Sequence, residues 1–222
     1  MRTFAFAACA SMLLPLAACG DGTTDNRAAV GNRSAAAREA AVPAPPPLAD
    51  KVRVRLETEF GPILLELDGR HAPITTANFL AYVDRQRFDG ITFYRAARTR
   101  GAEGRGFIQG GIRRDYQRTL GPIAHEPTSA TGLRHVDGAI SMARAEGGAG
   151  AMGEFFITVG AMPSMDADAD DEGFAAFGRV VEGMDVVRRI LAAETVPNAG
   201  RGAMRGQMIT TPVRIVSARR AE

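Results

Sequence analysis

Tryptophan is absent from these 222 residues, lysine occurs once (Lys51), and there are only two cysteines and three histidines. Both cysteines, Cys9 and Cys19, lie at the extreme amino end. The rest of the chain therefore has no disulfide and no thiol to bind a metal or attack a substrate. None of His71, His125 and His135 has a second histidine at the i, i+4 spacing of a helical zinc site, and each is read as a surface or loop residue. Arginine carries the positive charge, a bias that a GC-rich genome produces. The formal net charge is only +2, without the clustered basic face of a nucleic-acid binder. Neither a metal nor a nucleic-acid partner is expected. The apolar share of 45% and charged share of 23% are those of a soluble globular protein.

The amino terminus reads as an address. Arg2 precedes an uncharged run, Thr3 to Ala18, rich in Ala, Leu, Phe and Met and closing on small residues. The run is shorter than the roughly 20 apolar residues that span a bilayer as a helix. It ends Leu16-Ala17-Ala18-Cys19-Gly20, which resembles the bacterial lipobox. That likeness implies a signal peptide over 1–18, a lipid on Cys19 and a membrane tether outside the cytoplasm. The acid at Asp21, not next to the cysteine, points to the outer membrane over the inner. Residues 19–50 then run through Gly, Asp, Thr, Asn, Ala and Pro to Pro43-Ala44-Pro45-Pro46-Pro47. With so few large apolar side chains this stretch cannot offset its ordering entropy, and a disordered tether is expected, stiffening towards polyproline II at its end.

From Lys51 the pattern changes, and 51–222 is read as the folded domain. Val52, Val54 and Leu56 alternate with Arg53, Arg55 and Glu57, which predicts a strand with one wet face. Phe60-Gly61-Pro62 turns the chain into a second strand, Ile63 to Leu67. Pro73 opens a helix that ends near Gln86, the favoured first-turn place for proline. Further strands are predicted at Ile91–Arg95, Phe107–Gln109, Ala139–Met142, Phe155–Val159, Ala176–Val181 and Pro212–Val216. A second helix runs from Met184 to about Ala193, with Val186, Val187, Ile190 and Leu191 on one face. Eight short strands, glycine-rich turns and two helices argue for a mainly β protein, a closed β-barrel capped by helices.

Ordered blocks then carry a resemblance. They are Ala77-Asn78-Phe79, the run Phe88-Asp89-Gly90-Ile91-Thr92-Phe93-Tyr94-Arg95, and Gln109-Gly110-Gly111. Gly138 to Ala143, Phe155-Phe156-Ile157 and Phe177-Gly178-Arg179-Val180 complete the set. Together, over about Val52 to Val216, the chain resembles the cyclophilin-type peptidyl-prolyl cis-trans isomerases. The resemblance implies an eight-stranded antiparallel barrel with two capping helices, and catalysis without a cofactor.

It also implies roles. Arg95 matches the catalytic arginine and Gln109 the glutamine that holds its guanidinium. Phe156 matches the pocket phenylalanine and Met165 a pocket leucine. Ala143 matches a small groove residue, and Arg144 the residue whose backbone binds peptide. Ile108 falls in the same substrate-binding stretch. Phe107 stands where methionine is common and Gly106 where a pocket phenylalanine is; a register adjustment would restore Phe107 to the pocket, and it is counted among the substrate-binding residues. Glu154 replaces a usual glutamine and is expected near Arg95, competing with substrate. Phe174 replaces a common histidine, making that wall more apolar. Ser164 occupies about the place of the tryptophan that favours cyclosporin, so weak cyclosporin sensitivity is expected. Phe155, adjacent to Phe156 on a strand, is assigned to the barrel core.

Three other signals are set aside. Asp166 to Asp170 begins like a calcium loop, but its sixth position is Asp171 and its twelfth Phe177, not glycine and glutamate. No Lys-Ser/Thr follows the glycines between Gly101 and Gly111, so they are not a phosphate loop. Ser141 has no evident base with an orienting acid, so no hydrolase triad is expected. The expected protein is a monomeric, lipid-anchored isomerase of the cell envelope, facing the periplasm and acting on unfolded or extended proline-containing chains. A non-catalytic module that binds proline segments is the alternative reading.

Overall fold

The computed structural model describes residues 48–113, 115–144 and 151–222. The signal segment, Cys19 and nearly all of the tether lie outside the described residues. The described residues all belong to one compact unit.

Strand β1 (Lys51–Thr58) buries Val54, Leu56 and Thr58 and exposes Arg53 and Arg55. It pairs in register with β2 (Gly61–Asp68), whose inward residues are Ile63, Leu65 and Leu67. Helix α1 (Pro73–Asp84) follows. It has no side-chain cap of its own. The amides of Ile74 and Thr75 instead donate to Glu126, 3.1 and 2.7 Å away, so a distant carboxylate satisfies the helix start. Next come β3 (Thr92–Arg98), β4 (Gly106–Gly111), the short helix α2 (Thr128–Thr131), β5 (Ala139–Met142) and β6 (Glu154–Val159). The chain ends with β7 (Ala175–Glu182), α3 (Met184–Leu191), β8 (Thr195–Val196) and β9 (Met208–Ala221).

All pairings are antiparallel, in the order β1-β2-β7-β5-β6-β4-β3-β9, and β9 returns to β1 to close the barrel. Closure removes the unpaired edges that an open sheet would present. The eight-stranded barrel expected from the sequence is formed. The ninth strand, β8, lies outside it on β9.

One core fills the interior. Phe79, from α1, meets Phe88, Phe155 and Phe177 at ring separations of 4.9, 5.3 and 5.3 Å. All four rings are buried, and removing side chains of this size from water stabilises by about 1.5–3 kcal/mol each. Helix α3 adds Val186, Val187, Ile190 and Leu191 to the same core. Phe155 lies there, as its parity on β6 implies.

Two departures from the sequence reading matter here. His135 is fully buried, not a surface residue. Ile108 is 0% exposed and belongs to the core, so it does not line a binding surface. The reason is strand alternation: with Phe107 and Gln109 facing outward on β4, Ile108 points into the barrel.

Candidate active site

The sheet register assembles the site. Arg95 on β3 lies opposite Gln109 on β4, Gln109 opposite Phe156 on β6, and Phe156 opposite Ser141 on β5. Directly opposed residues share a face, so these four form one row across the outside of the barrel. A register shift between Phe93 and Arg95 makes the row possible. The extra residue returns Arg95 to the outer face while Phe93 stays in the core. Gly110 is needed at this place, because a Cβ on it would lie 2.9 Å from the Phe93 ring.

Arg95 is held on two edges. Its Nη1 donates to Gln109 Oε1 at 2.8 Å, and its Nε donates to Gln207 Oε1 at 2.8 Å. Gln207 comes from the connection before β9, and its own carbonyl accepts from the Ala96 amide at 2.9 Å. Sequence reading missed this residue, since no motif links positions so far apart. Burial lowers the Arg95 pKa from its ordinary value, but a guanidinium remains charged at any working pH.

Beside this cation stands an apolar wall. Phe156, only 2% exposed, is its floor. The half-buried Phe107 and Phe174 each place a ring centroid 5.3 Å from that of Phe156. The Arg95 guanidinium carbon also lies 4.8 Å from the Phe107 ring centre. Phe107 is thus beside both Phe156 and Arg95 without any register adjustment. Met165 sits on a 3-10 turn, Pro163–Met165, and its carbonyl accepts from the Phe174 amide. Ala143 follows β5, and its amide donates to the Glu154 carbonyl. Arg144 pairs with Asp171 at 2.6 Å and reaches to 5.8 Å from the Phe174 ring centre. Ser164 is exposed.

The expected pairing of Glu154 with Arg95 is not formed. Glu154 instead accepts from the Tyr94 hydroxyl at 2.6 Å and from the Arg113 amide. Gln109 Nε2 donates to the same hydroxyl at 2.9 Å. Burial pushes the Glu154 carboxyl above its ordinary pKa, although both hydrogen bonds oppose this. Burial and the neighbouring carboxylate push Tyr94 up as well.

Ser141 has a base after all. Its Oγ lies 3.0 Å from His135 Nε2, and His135 Nδ1 lies 2.7 Å from Asp166 Oδ1. Both Ser141 and His135 are buried, so no substrate reaches the hydroxyl. The His135 ring lies nearly parallel to that of Phe156, at 11° and 5.7 Å, and supports the floor from behind. Two surface hollows, of about 220 and about 460 Å³, share no lining residue with the Arg95 cluster.

A fixed cation beside an apolar floor is the arrangement that a proline-recognising site needs, and comparison with known proteins agrees. The model of the family described as cyclophilin type peptidyl-prolyl cis-trans isomerase matches residues 53–220. The chain belongs to the cyclophilin family. Among curated relatives, a peptidyl-prolyl cis-trans isomerase of Acinetobacter baylyi is 34% identical over 164 residues, covering 74% of this chain and 82% of the relative. Peptidyl-prolyl cis-trans isomerase A of Dickeya dadantii is 35% identical over 142 residues, 64% of this chain and 72% of the relative. A cyclophilin-type isomerase of Cryptosporidium parvum, solved in the presence of the dipeptide Ala-Pro, superposes with a TM-score of 0.59 at 20% identity. That superposition spans 77% of this chain and 99% of the other, and it bears on the cyclophilin fold alone.

Proposed function

We propose that this isomerase accelerates X-Pro rotation in exported polypeptides within the cell envelope, as a monomer tethered by a lipid on Cys19. The isomerase activity follows from the family and its named relatives. The exported setting is supported by the apolar leader, the Leu16-Ala17-Ala18-Cys19 motif and the proline-rich tether.

The mechanism begins with the substrate. An X-Pro amide rotates in tens to hundreds of seconds because of its partial double bond. At the twisted transition state conjugation is lost and the proline nitrogen regains a lone pair. A donor aimed there bonds the transition state and not the planar ground state, which is how binding becomes catalysis. Arg95 is the assigned donor. Among the described residues its Nε and one Nη1 hydrogen are taken by Gln207 and Gln109, which leaves the Nη2 end for substrate. Phe107, Phe156, Phe174 and Met165 are assigned to the proline ring, with Ala143, Arg144 and Glu154 bordering the groove. Arg95 braced by two amide oxygens beside a phenylalanine floor is the observation that carries the reading.

NMR exchange spectroscopy on an X-Pro peptide tests it, using the full chain and its Arg95→Ala variant. Removing one preorganised transition-state donor costs on the order of 100-fold in rate. Acceleration that survives in the variant would remove Arg95 from the mechanism. Peptide binding without acceleration by the unaltered chain would leave a non-catalytic proline-binding module. Release of the protein from membranes on Cys19→Ser, against retention, decides the anchor.

A further inference from the structure

A primary amide has nearly the same shape either way round, but one end accepts and the other donates. For Gln109 only one orientation places an acceptor against Arg95. The reverse would set an NH2 group against the guanidinium, donor facing donor. Gln109 is 8% exposed, so water does little to choose between the two.

The choice is made at its far end. Gln109 Nε2 lies 2.9 Å from the Tyr94 hydroxyl. A phenol has a single proton, and that of Tyr94 is directed at Glu154 Oε2, 2.6 Å away. An ionised carboxylate only accepts, so the proton is committed to it. The phenol oxygen is then left as an acceptor, and Gln109 must turn its nitrogen towards Tyr94 and its oxygen towards Arg95. The space for Glu154 comes from Gly111, where a Cβ would lie 2.5 Å from Glu154 Oε2.

We propose that Tyr94 and Glu154 are positioning residues of this isomerase, whose hydrogen bond sets the direction of the Gln109 amide and so aims Arg95. The proposal rests on the assignment of Arg95 as the transition-state donor. Among the described residues, the groups facing Glu154 are Tyr94 from β3, Gly111 at the end of β4 and Arg113 just beyond it. Arg113 contributes its amide, and its guanidinium carbon lies 4.8 Å over the Tyr94 ring. Protonated Glu154 would donate to the phenol, freeing the phenol proton for Gln109 Oε1 and allowing the amide to reverse. Acid therefore switches off the brace while leaving the apolar pocket intact. Burial raises the Glu154 pKa, which brings this change towards mildly acidic pH.

The test follows exchange of an X-Pro peptide and its Kd in the full chain, from about pH 7.5 to about pH 4.5. The unaltered protein loses roughly fivefold or more in rate on acidification while Kd stays within about twofold. Glu154→Gln, which does not titrate, loses the acid decline: whatever its neutral rate, that rate holds between about pH 7.5 and about pH 4.5. Tyr94→Phe lowers the rate about fivefold at every pH with Kd unchanged, because the amide then loses its partner at Nε2 and is held from the Arg95 side alone. A variant that merely loosened the fold would lose Kd and rate together, and that outcome overturns the proposal. So does a Tyr94→Phe protein with the unaltered rate and pH profile. One readout needs no variant: the Gln109 side-chain amide signals move with the titration of the Glu154 carboxyl carbon. Signals that stay fixed while that carbon titrates refute the proposal. Absent acceleration by the unaltered protein at neutral pH instead sinks the Arg95 assignment, and the amide signals still decide the orientation.

Discussion

Gln207 Oε1 accepts from Arg95 Nε at 2.8 Å, joining residues 112 positions apart. The Gln207 backbone is itself bonded to β3 beside Arg95, so its side chain starts from a fixed point. Gln207→Met keeps the length of the side chain and removes the acceptor. A hydrogen bond to a charged group contributes about 1.5–3 kcal/mol, and only the part that aims Arg95 enters the rate. The expected outcome is an exchange rate lower by roughly three- to tenfold at unchanged peptide Kd. An unaltered rate in a stably folded variant would remove Gln207 from the site.

Ile108 separates the two faces of β4. It sits in the core between Phe107 and Gln109, both of which face the site. Ile108→Val should therefore cost about 0.5–1.5 kcal/mol of stability, through the lost methylene and the small cavity it leaves. Peptide Kd and exchange rate should not move. Urea unfolding and exchange spectroscopy on one sample check both, and a weakened Kd at unchanged stability would return Ile108 to the binding surface.

The legible parts of this chain are those decided by neighbours in sequence. Alternation at Val52, Val54 and Leu56 gave the first strand, and the spacing of Val186, Val187, Ile190 and Leu191 gave α3. Helix α2 and strand β8, four and two residues long, are too short for either period to register. Strand β9 was expected only at Pro212–Val216, but it runs Met208–Ala221. Proline cannot donate to a ladder; Pro212 is accommodated where the pairing with β3 jumps from Val213 to Met208. In the site, Arg95 and Gln109 are fourteen positions apart on adjacent strands, and the motif shows both. Gln207, and the His135–Asp166 pair separated by 31 positions, meet only through barrel closure and loop packing.

Asp68 ties the end of β2 to the start of β1. Burial pushes its carboxyl up, but hydrogen bonds from Lys51 and from the amide and ring of His71 outweigh this and hold its pKa at about 2. In the unfolded chain an aspartate titrates near 3.9. The contribution is complete above that value and is lost as pH falls from about 4 to about 2. Because Lys51 is half exposed, solvent screening reduces it to about 1–2 kcal/mol. Lys51→Met should remove most of this acid-range loss in urea midpoints. Identical acid limbs in the two proteins would show that the pair contributes nothing.

His135 gives a second acid transition, distinct from that of Glu154. It is buried between Asp166 and Ser141, and burial lowers its pKa despite the bond to Asp166. The folded protein thus holds it neutral where an unfolded histidine, with a pKa near 6.5, takes up a proton. Its stabilising effect is complete above about pH 6.5 and declines below it, by up to about 1.4 kcal/mol per pH unit, until the lowered folded value is reached. Urea midpoints should fall between about pH 7 and about pH 5.5, and His135→Gln should flatten that slope. A flat slope in the unaltered protein would mean that the buried ring takes up its proton as readily as the unfolded one. The His135 ring backs Phe156 but stays neutral in the folded protein over this range, so its transition lowers the folded population and leaves the pocket of the folded chain intact. Protonation of Glu154 disturbs only the brace on Arg95. Rate lost without a matching fall in stability therefore reports Glu154, and rate lost in step with stability reports His135.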